Sequence, residues 1–270
     1  MAPPAIQSLL LSCATPTSHL SSKTFISVVD LFTRVVASRF VYYLLKLLPI
    51  KYLPLTDLSN LLTKRNGAIF IVWLFHVSAI IGISLGHFEW FVTKTPINLL
   101  LMGILVVLTY PVTTEKVISI SLFFYLAGMA VEWIGVHHEF LFGPYSYGEN
   151  LGPKIDGVPW LIGVNWMVLT LTTAAISKKI FTRFALRVLT GALLMVFLDI
   201  FIEQSAPMLD FWNFSTPKVP LRNYLAWLLI STFLHYIYHR SRLEGDFSLS
   251  LHVYLAQLTF FLYLYGIHSL

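Results

Sequence analysis

From residue 66 onward the hydrophobic positions run in long windows broken by short polar joints, at 67–86, 96–112, 117–136, 159–177, 185–202, 221–239 and 249–267. Each window approaches the roughly 20 residues that an α-helix needs to cross a bilayer. Runs such as Leu99-Leu100-Leu101 and Leu122-Phe123-Phe124 are apolar on every face, which excludes the alternating pattern of a membrane β-barrel and predicts spanning helices. Upstream the pattern changes. The segment 25–48 is apolar, but Lys23 just before it and Ser27, Asp30, Arg34 and Lys46 within it recur near a helical period, which predicts a helix lying in the membrane interface. A crossing there would place Asp30, Arg34 and Arg39 in lipid, at high cost. Residues 1–24 are rich in Ser, Thr and Pro and lack the basic start of a secretory signal. The predicted fold is therefore an all-α polytopic membrane helical bundle. Its parts are a disordered tail (1–24), an amphipathic interfacial helix with linker (25–65) and a seven-helix membrane domain (66–270), with no internal repeat.

Composition agrees and narrows the choice. Of 270 residues, 57% are hydrophobic and 11% charged, whereas soluble domains carry about a quarter charged residues. Cys13 is the single cysteine, so neither an internal disulfide nor a thiolate metal cage can form. The net charge of +5 does not point to nucleic acid, because the basic residues flank apolar runs. They set orientation instead. Fourteen of the 18 Lys and Arg fall on one side of the predicted spans with five acids, a balance of +9, and four fall on the other with eight acids, a balance of −4. The positive-inside rule then predicts a cell-membrane protein with a cytoplasmic N-terminus and an extracytoplasmic C-terminus.

Three acids lie within predicted spans near their outer ends: Glu132, and the pair Asp199 and Glu203, which share a helix face. A carboxyl group held among residues such as Val131, Trp133 and Ile134 tends to keep its proton, which makes Glu132 the expected proton donor. Asp199 and Glu203 are the expected partners that balance positive charge and take a proton from water. The loop Gly143–Pro159, with four Gly and three Pro in 17 residues, predicts a folded, turn-filled path. Its Tyr145, Tyr147 and Asn150 are candidate substrate-binding residues, as are Asn165, Trp166, Trp212, Asn223 and Tyr224. His235 and His239 are four apart, on the cytoplasmic side, and read as helix-end residues. No metal set is predicted, and the last span has no Lys for a retinal Schiff base.

Taken in order, these segments resemble a known family. The runs Glu132-Trp133-Ile134-Gly135-Val136, Phe142-Gly143-Pro144-Tyr145-Ser146-Tyr147-Gly148-Glu149-Asn150-Leu151-Gly152-Pro153-Lys154, Gly157-Val158-Pro159 and Ile162-Gly163-Val164-Asn165-Trp166 are similar to the first signature of the carotenoid 1,2-hydratases, the bisanhydrobacterioruberin hydratase type. Asp199 and Glu203 with Ala206-Pro207, Leu209-Asp210-Phe211-Trp212 and Pro220-Leu221-Arg222-Asn223-Tyr224-Leu225-Ala226-Trp227 resemble the second. The likeness covers roughly residues 66 to 267 and departs at His137-His138-Glu139. It implies addition of water to the terminal double bond of an acyclic ψ end group, with no cofactor. The implied partners are an acyclic or monocyclic carotenoid, membrane lipid and other enzymes of carotenoid synthesis. Two other readings are a non-catalytic polyene or lipid carrier and a carotenoid cyclase or isomerase on the same scaffold.

Overall fold

The computed structural model describes residues 63–110 and 114–268. The predicted tail and nearly all of the predicted interfacial segment lie outside those residues. The elements are α1 (Lys64–Ser84), α2 (Phe88–Val92), α3 (Thr95–Leu108), α4 (Thr114–His137), β1 (Tyr145–Tyr147), β2 (Lys154–Ile155), β3 (Val158–Pro159), α5 (Trp160–Ile180), α6 (Phe184–Ser205), β4 (Trp212–Phe214), α7 (Leu221–Arg240) and α8 (Phe247–His268). Seven long helices thus occupy the seven predicted windows, with short strands in the loops, and the chain is an all-α multi-pass membrane bundle.

Two helices depart from a simple crossing. The second window forms a 14-residue α3, about 21 Å long at 1.5 Å per residue and short of the roughly 30 Å hydrocarbon layer; α2 and the turn at Thr93-Lys94 precede it. Counted together, Phe88–Leu108 is one of six stretches long and apolar enough to cross a membrane among the described residues. The sixth predicted span, 221–239, which forms α7, is not among them. It is 20 residues long, but Asn223, Ser231, His235 and His239 interrupt its apolar sequence and are buried inside the bundle.

The arrangement follows from where small and polar residues sit. α5 is the central helix, buried on nearly every turn. Its Thr172 and Thr173 hydroxyls satisfy themselves on the carbonyls of Val168 and Leu169, at 2.7 and 2.6 Å. Gly128 on α4 faces Trp166 so closely that a Cβ there would lie 2.5 Å from the Trp166 Cβ, and Gly163 on α5 receives Tyr125 and Met129 in the same way. Without a side chain at either position the backbones approach, as small residues permit in membrane helices. Outward faces are apolar in the sense that suits lipid: Phe70, Leu108, Leu126, Leu225 and Leu229 are exposed.

The two loops predicted on the outer side are joined. β1 and β4 pair antiparallel, with Tyr145 opposite Phe214 and Tyr147 opposite Trp212. β2 and β3 form a hairpin around Asp156 and Gly157, both at positive φ (48° and 84°), the backbone of a tight turn that Gly tolerates at no steric cost.

Candidate functional site

Alternation along a strand sends residues two apart to the same face, so β1 lowers Tyr145 and Tyr147 together onto the end of α4. Both phenols donate to Glu132 Oε2, at 2.7 and 2.6 Å. From α5 the Trp166 indole N–H donates to the other oxygen, Oε1, at 2.7 Å. Glu132 is buried (4% exposed) and accepts three donors, so its carboxylate lone pairs are nearly filled. Burial, then the neighbouring Glu132 charge, pushes the Tyr145 and Tyr147 phenols above their ordinary range, which keeps both as donors.

Glu203, near the end of α6, is held in the same manner by two donors. The Trp212 indole N–H reaches Oε2 at 2.8 Å from β4, and the Asn223 amide reaches Oε1 at 2.8 Å from α7. Asp199 lies one turn below Glu203. It is fully buried, and neither carboxyl oxygen has a hydrogen-bond partner among the described residues.

Glu132 and Glu203 face each other across a small chamber of about 10 Å³, lined also by Phe142, Tyr145, Tyr147, Trp212, Phe214, Asn223 and Trp227. That is room for about one water molecule with several polar partners. Trp227 stacks on Trp166 at 4.1 Å between ring centres and 19° between planes. Trp212 also lines a second, much larger cavity of about 400 Å³. The larger cavity is bounded by α1, α2, α3, α5, α6 and α8 and is mainly apolar, with Leu99, Met102, Ile162, Ile202 and Phe261 in its wall. Its lining includes Leu74, Phe75 and Trp90, which are exposed on the bundle surface.

The predicted site residues therefore divide. Glu132, Glu203, Tyr145, Tyr147, Trp212 and Asn223 line the small chamber, with Trp166 bonded to one of its acids and Asp199 buried behind the other. Asn165 lines the large cavity instead. The Asn150 amide donates to the carbonyls of Val92 and Leu209, at 3.0 and 2.9 Å, so it ties α2 to both loops and lines neither cavity. Tyr224 is half-buried, bonds Gln204 and lines neither cavity. His235 and His239 are buried along α7, against Thr173 at 2.9 Å and Ser177 at 3.3 Å. Sequence reasoning missed Trp227 as a chamber wall and the contribution of α1, α2 and α8 to the large cavity. Trp227 had a signal: it lies four residues after Asn223, on the same helix face.

A family model described as carotenoid biosynthesis protein matches residues 95–270, from α3 to the C-terminus. The bisanhydrobacterioruberin hydratase of Haloarcula japonica is 28% identical over 112 residues, covering 38% of this chain and 38% of that protein. No solved structure matches.

Proposed function

The chain belongs to the carotenoid biosynthesis protein family, and from that premise we propose that it is a hydratase. The reaction adds water to the terminal carbon–carbon double bond of an acyclic ψ end group and yields a tertiary 1-hydroxy carotenoid. The observation that carries this reading is the pair of buried carboxyl groups facing each other across a water-sized chamber, with Trp212 as the wall shared with a large apolar cavity.

Each step falls to a residue of this chain. A buried carboxyl group with no donor aimed at it is stable in its neutral form, so Asp199 holds a proton, which passes to Glu203 one turn away when the reaction begins. Glu203 delivers the proton to the less substituted carbon, leaving the positive charge on the tertiary one. Glu132, its oxygens held by Tyr145, Tyr147 and Trp166, faces that charge as a carboxylate, aided by the ring faces of Trp212 and Trp227. Water from the chamber bonds to the tertiary carbon and gives its second proton to Glu132, from which it returns to the Asp199–Glu203 pair. No net proton is consumed. These roles exchange those expected from sequence, where Glu132 was the donor, because Glu132 accepts three donors, which suits an anion, while Asp199, from which the proton starts, accepts none.

The charge asymmetry supports a site in the outer half of a cell membrane, with the N-terminus inside. Carotenoid enters from lipid through the exposed side of the large cavity. The test uses purified protein with lycopene in detergent. Hydration gives a product heavier by one water, and heavier still in heavy-oxygen water, whereas cyclisation, isomerisation or carriage leaves the mass unchanged. Glu132→Gln and Asp199→Asn each abolish the product in folded protein. A folded wild-type protein that changes no pigment mass would overturn the reading.

A further inference from the structure

The large cavity is not uniformly apolar: Ser78, Asn98, Asn165 and Gln257 are in its lining. Trp73 Nε1 donates to His252 Nδ1 at 2.9 Å and Ser84 Oγ lies 2.6 Å from the Tyr263 hydroxyl. Both pairs share one sequence offset, so α1 and α8 run side by side in fixed register, which sets Gln257 level with Ser78. That level is six residues, about 9 Å, below the loop end of α1. Asn165 lies five residues, about 8 Å, below the start of α5, and Asn98 three residues, about 4.5 Å, into α3. Glu132 and Asp199 lie about 8 and 9 Å below the corresponding ends of α4 and α6. Ser78 and Asn165 thus lie about as far from their helix ends as Glu132 and Asp199 do from theirs, with Asn98 nearer its own end.

The amides there are incomplete. Asn98 Oδ1 and Gln257 Oε1 are buried without a hydrogen-bond partner among the described residues, and Gln257 is 7% exposed. His76, in the same wall, uses Nδ1 on the Val72 carbonyl at 2.8 Å. A buried amide oxygen without a donor costs on the order of a lost hydrogen bond, and a pure hydrocarbon ligand cannot supply one.

We propose that Asn98 and Gln257 form a hydroxyl-recognition subsite, so that the preferred ligand of this cavity is an isoprenoid bearing a hydroxyl group rather than a hydrocarbon. The inference rests on the cavity being the substrate cavity of the proposed reaction. A hydroxyl both donates and accepts, so it completes an amide in either orientation, while the apolar walls take the isoprenoid chain. The subsite selects polyenes that an earlier oxygen-adding reaction has already modified.

Farnesol and its deoxy hydrocarbon are suitable probes, because both end in the same dimethyl-substituted double bond as a ψ end group and differ by one hydroxyl. Binding to the full-length protein is read from tryptophan fluorescence at equal micellar mole fraction, which requires no turnover. Wild-type protein binds the alcohol about tenfold more tightly, the effect of roughly one well-made buried hydrogen bond. Asn98→Leu and Gln257→Leu each reduce that preference to about threefold or less without weakening binding of the hydrocarbon. Both replacements put an apolar side chain in a lipid-like interior, so folding is retained, and size-exclusion profiles check it. Equal binding of the two probes by wild type overturns the subsite, as does a preference that survives both replacements. Either result leaves the hydration reading standing, since that reading fails only on pigment mass.

Discussion

Tyr147→Phe isolates one atom of the site. The ring keeps its edge-on contacts with Tyr145 and Trp212, at 5.5 and 6.0 Å, and the backbone keeps its pairing with Trp212 in β1 and β4. Only the hydroxyl that donates to Glu132 Oε2 at 2.6 Å is lost. A hydrogen bond to an ionised carboxylate contributes ~1.5–3 kcal/mol, against ~1 kcal/mol for a neutral pair. At 1.36 kcal/mol per factor of ten, removing it slows hydration ~10- to 100-fold if Glu132 faces the cation as a carboxylate. Stability gives an independent measure through a double-mutant cycle with Glu132→Gln, followed by urea unfolding in detergent. Tyr147→Phe costs ~2 kcal/mol in the native background and ~1 kcal/mol or less beside Glu132→Gln, a coupling of ~1 kcal/mol. Equal cost in both backgrounds would refute the claim that Glu132 carries the charge, whatever happened to turnover.

Gly128→Ala forces a methyl to within 2.5 Å of the Trp166 Cβ; it lowers stability by ~1–3 kcal/mol in the same unfolding assay and slows hydration by drawing the indole N–H from Glu132. Trp212→Ala removes the shared wall and the donor to Glu203 together, so polyene binding persists by fluorescence while hydrated product disappears from the mass spectrum. A reporter in the 181–183 loop between α5 and α6 is cytoplasmic, and one after Leu270 is extracytoplasmic; finding both on one side would overturn the predicted orientation.

The spans were legible because a bilayer demands one property, apolar length, which a sequence displays directly. The acids were legible for the complementary reason: an ionisable group in such a stretch is expensive enough to require an explanation. Partnership was not legible. Nothing in Gly143–Pro159 announces that Tyr147 pairs with Trp212 from a loop 65 residues away, because two three-residue strands carry too little pattern to be read and are fixed by the helices beneath them. The large cavity was invisible for a similar reason. Its wall comes from six helices, and a void is a property of how side chains meet rather than of any one segment. α7 illustrates the middle ground. Its Asn223, Trp227, Ser231, His235 and His239 recur every fourth residue, a face that is legible once one knows that polar residues in a membrane helix turn inward.

That repeat also accounts for the missing partner of Asp199. Glu203 bonds Asn223, and Gly191 makes room for His235, whose ring would lie 2.1 Å from a Cβ there. Both pairs fit one antiparallel register of α6 and α7, each step of four down one helix matched by four up the other. The first step from Glu203 and Asn223 sets Asp199 against Trp227, an indole lying flat on Trp166. Asp199 is therefore opposed by an aromatic residue where Glu203, one step along the ladder, has the Asn223 amide. Replacing Trp227 tests whether that isolation keeps the proton in place. Trp227→Leu and Trp227→Gln remove the ring stack equally and leave side chains of similar size, but only glutamine offers Asp199 a donor. A donor stabilises the ionised carboxylate by ~1.5–3 kcal/mol, so the glutamine variant hydrates at least ~10-fold more slowly than the leucine variant while unfolding at equal or higher urea. If the two variants turn over at the same rate, the proton does not start from Asp199, and Glu203 acts without it.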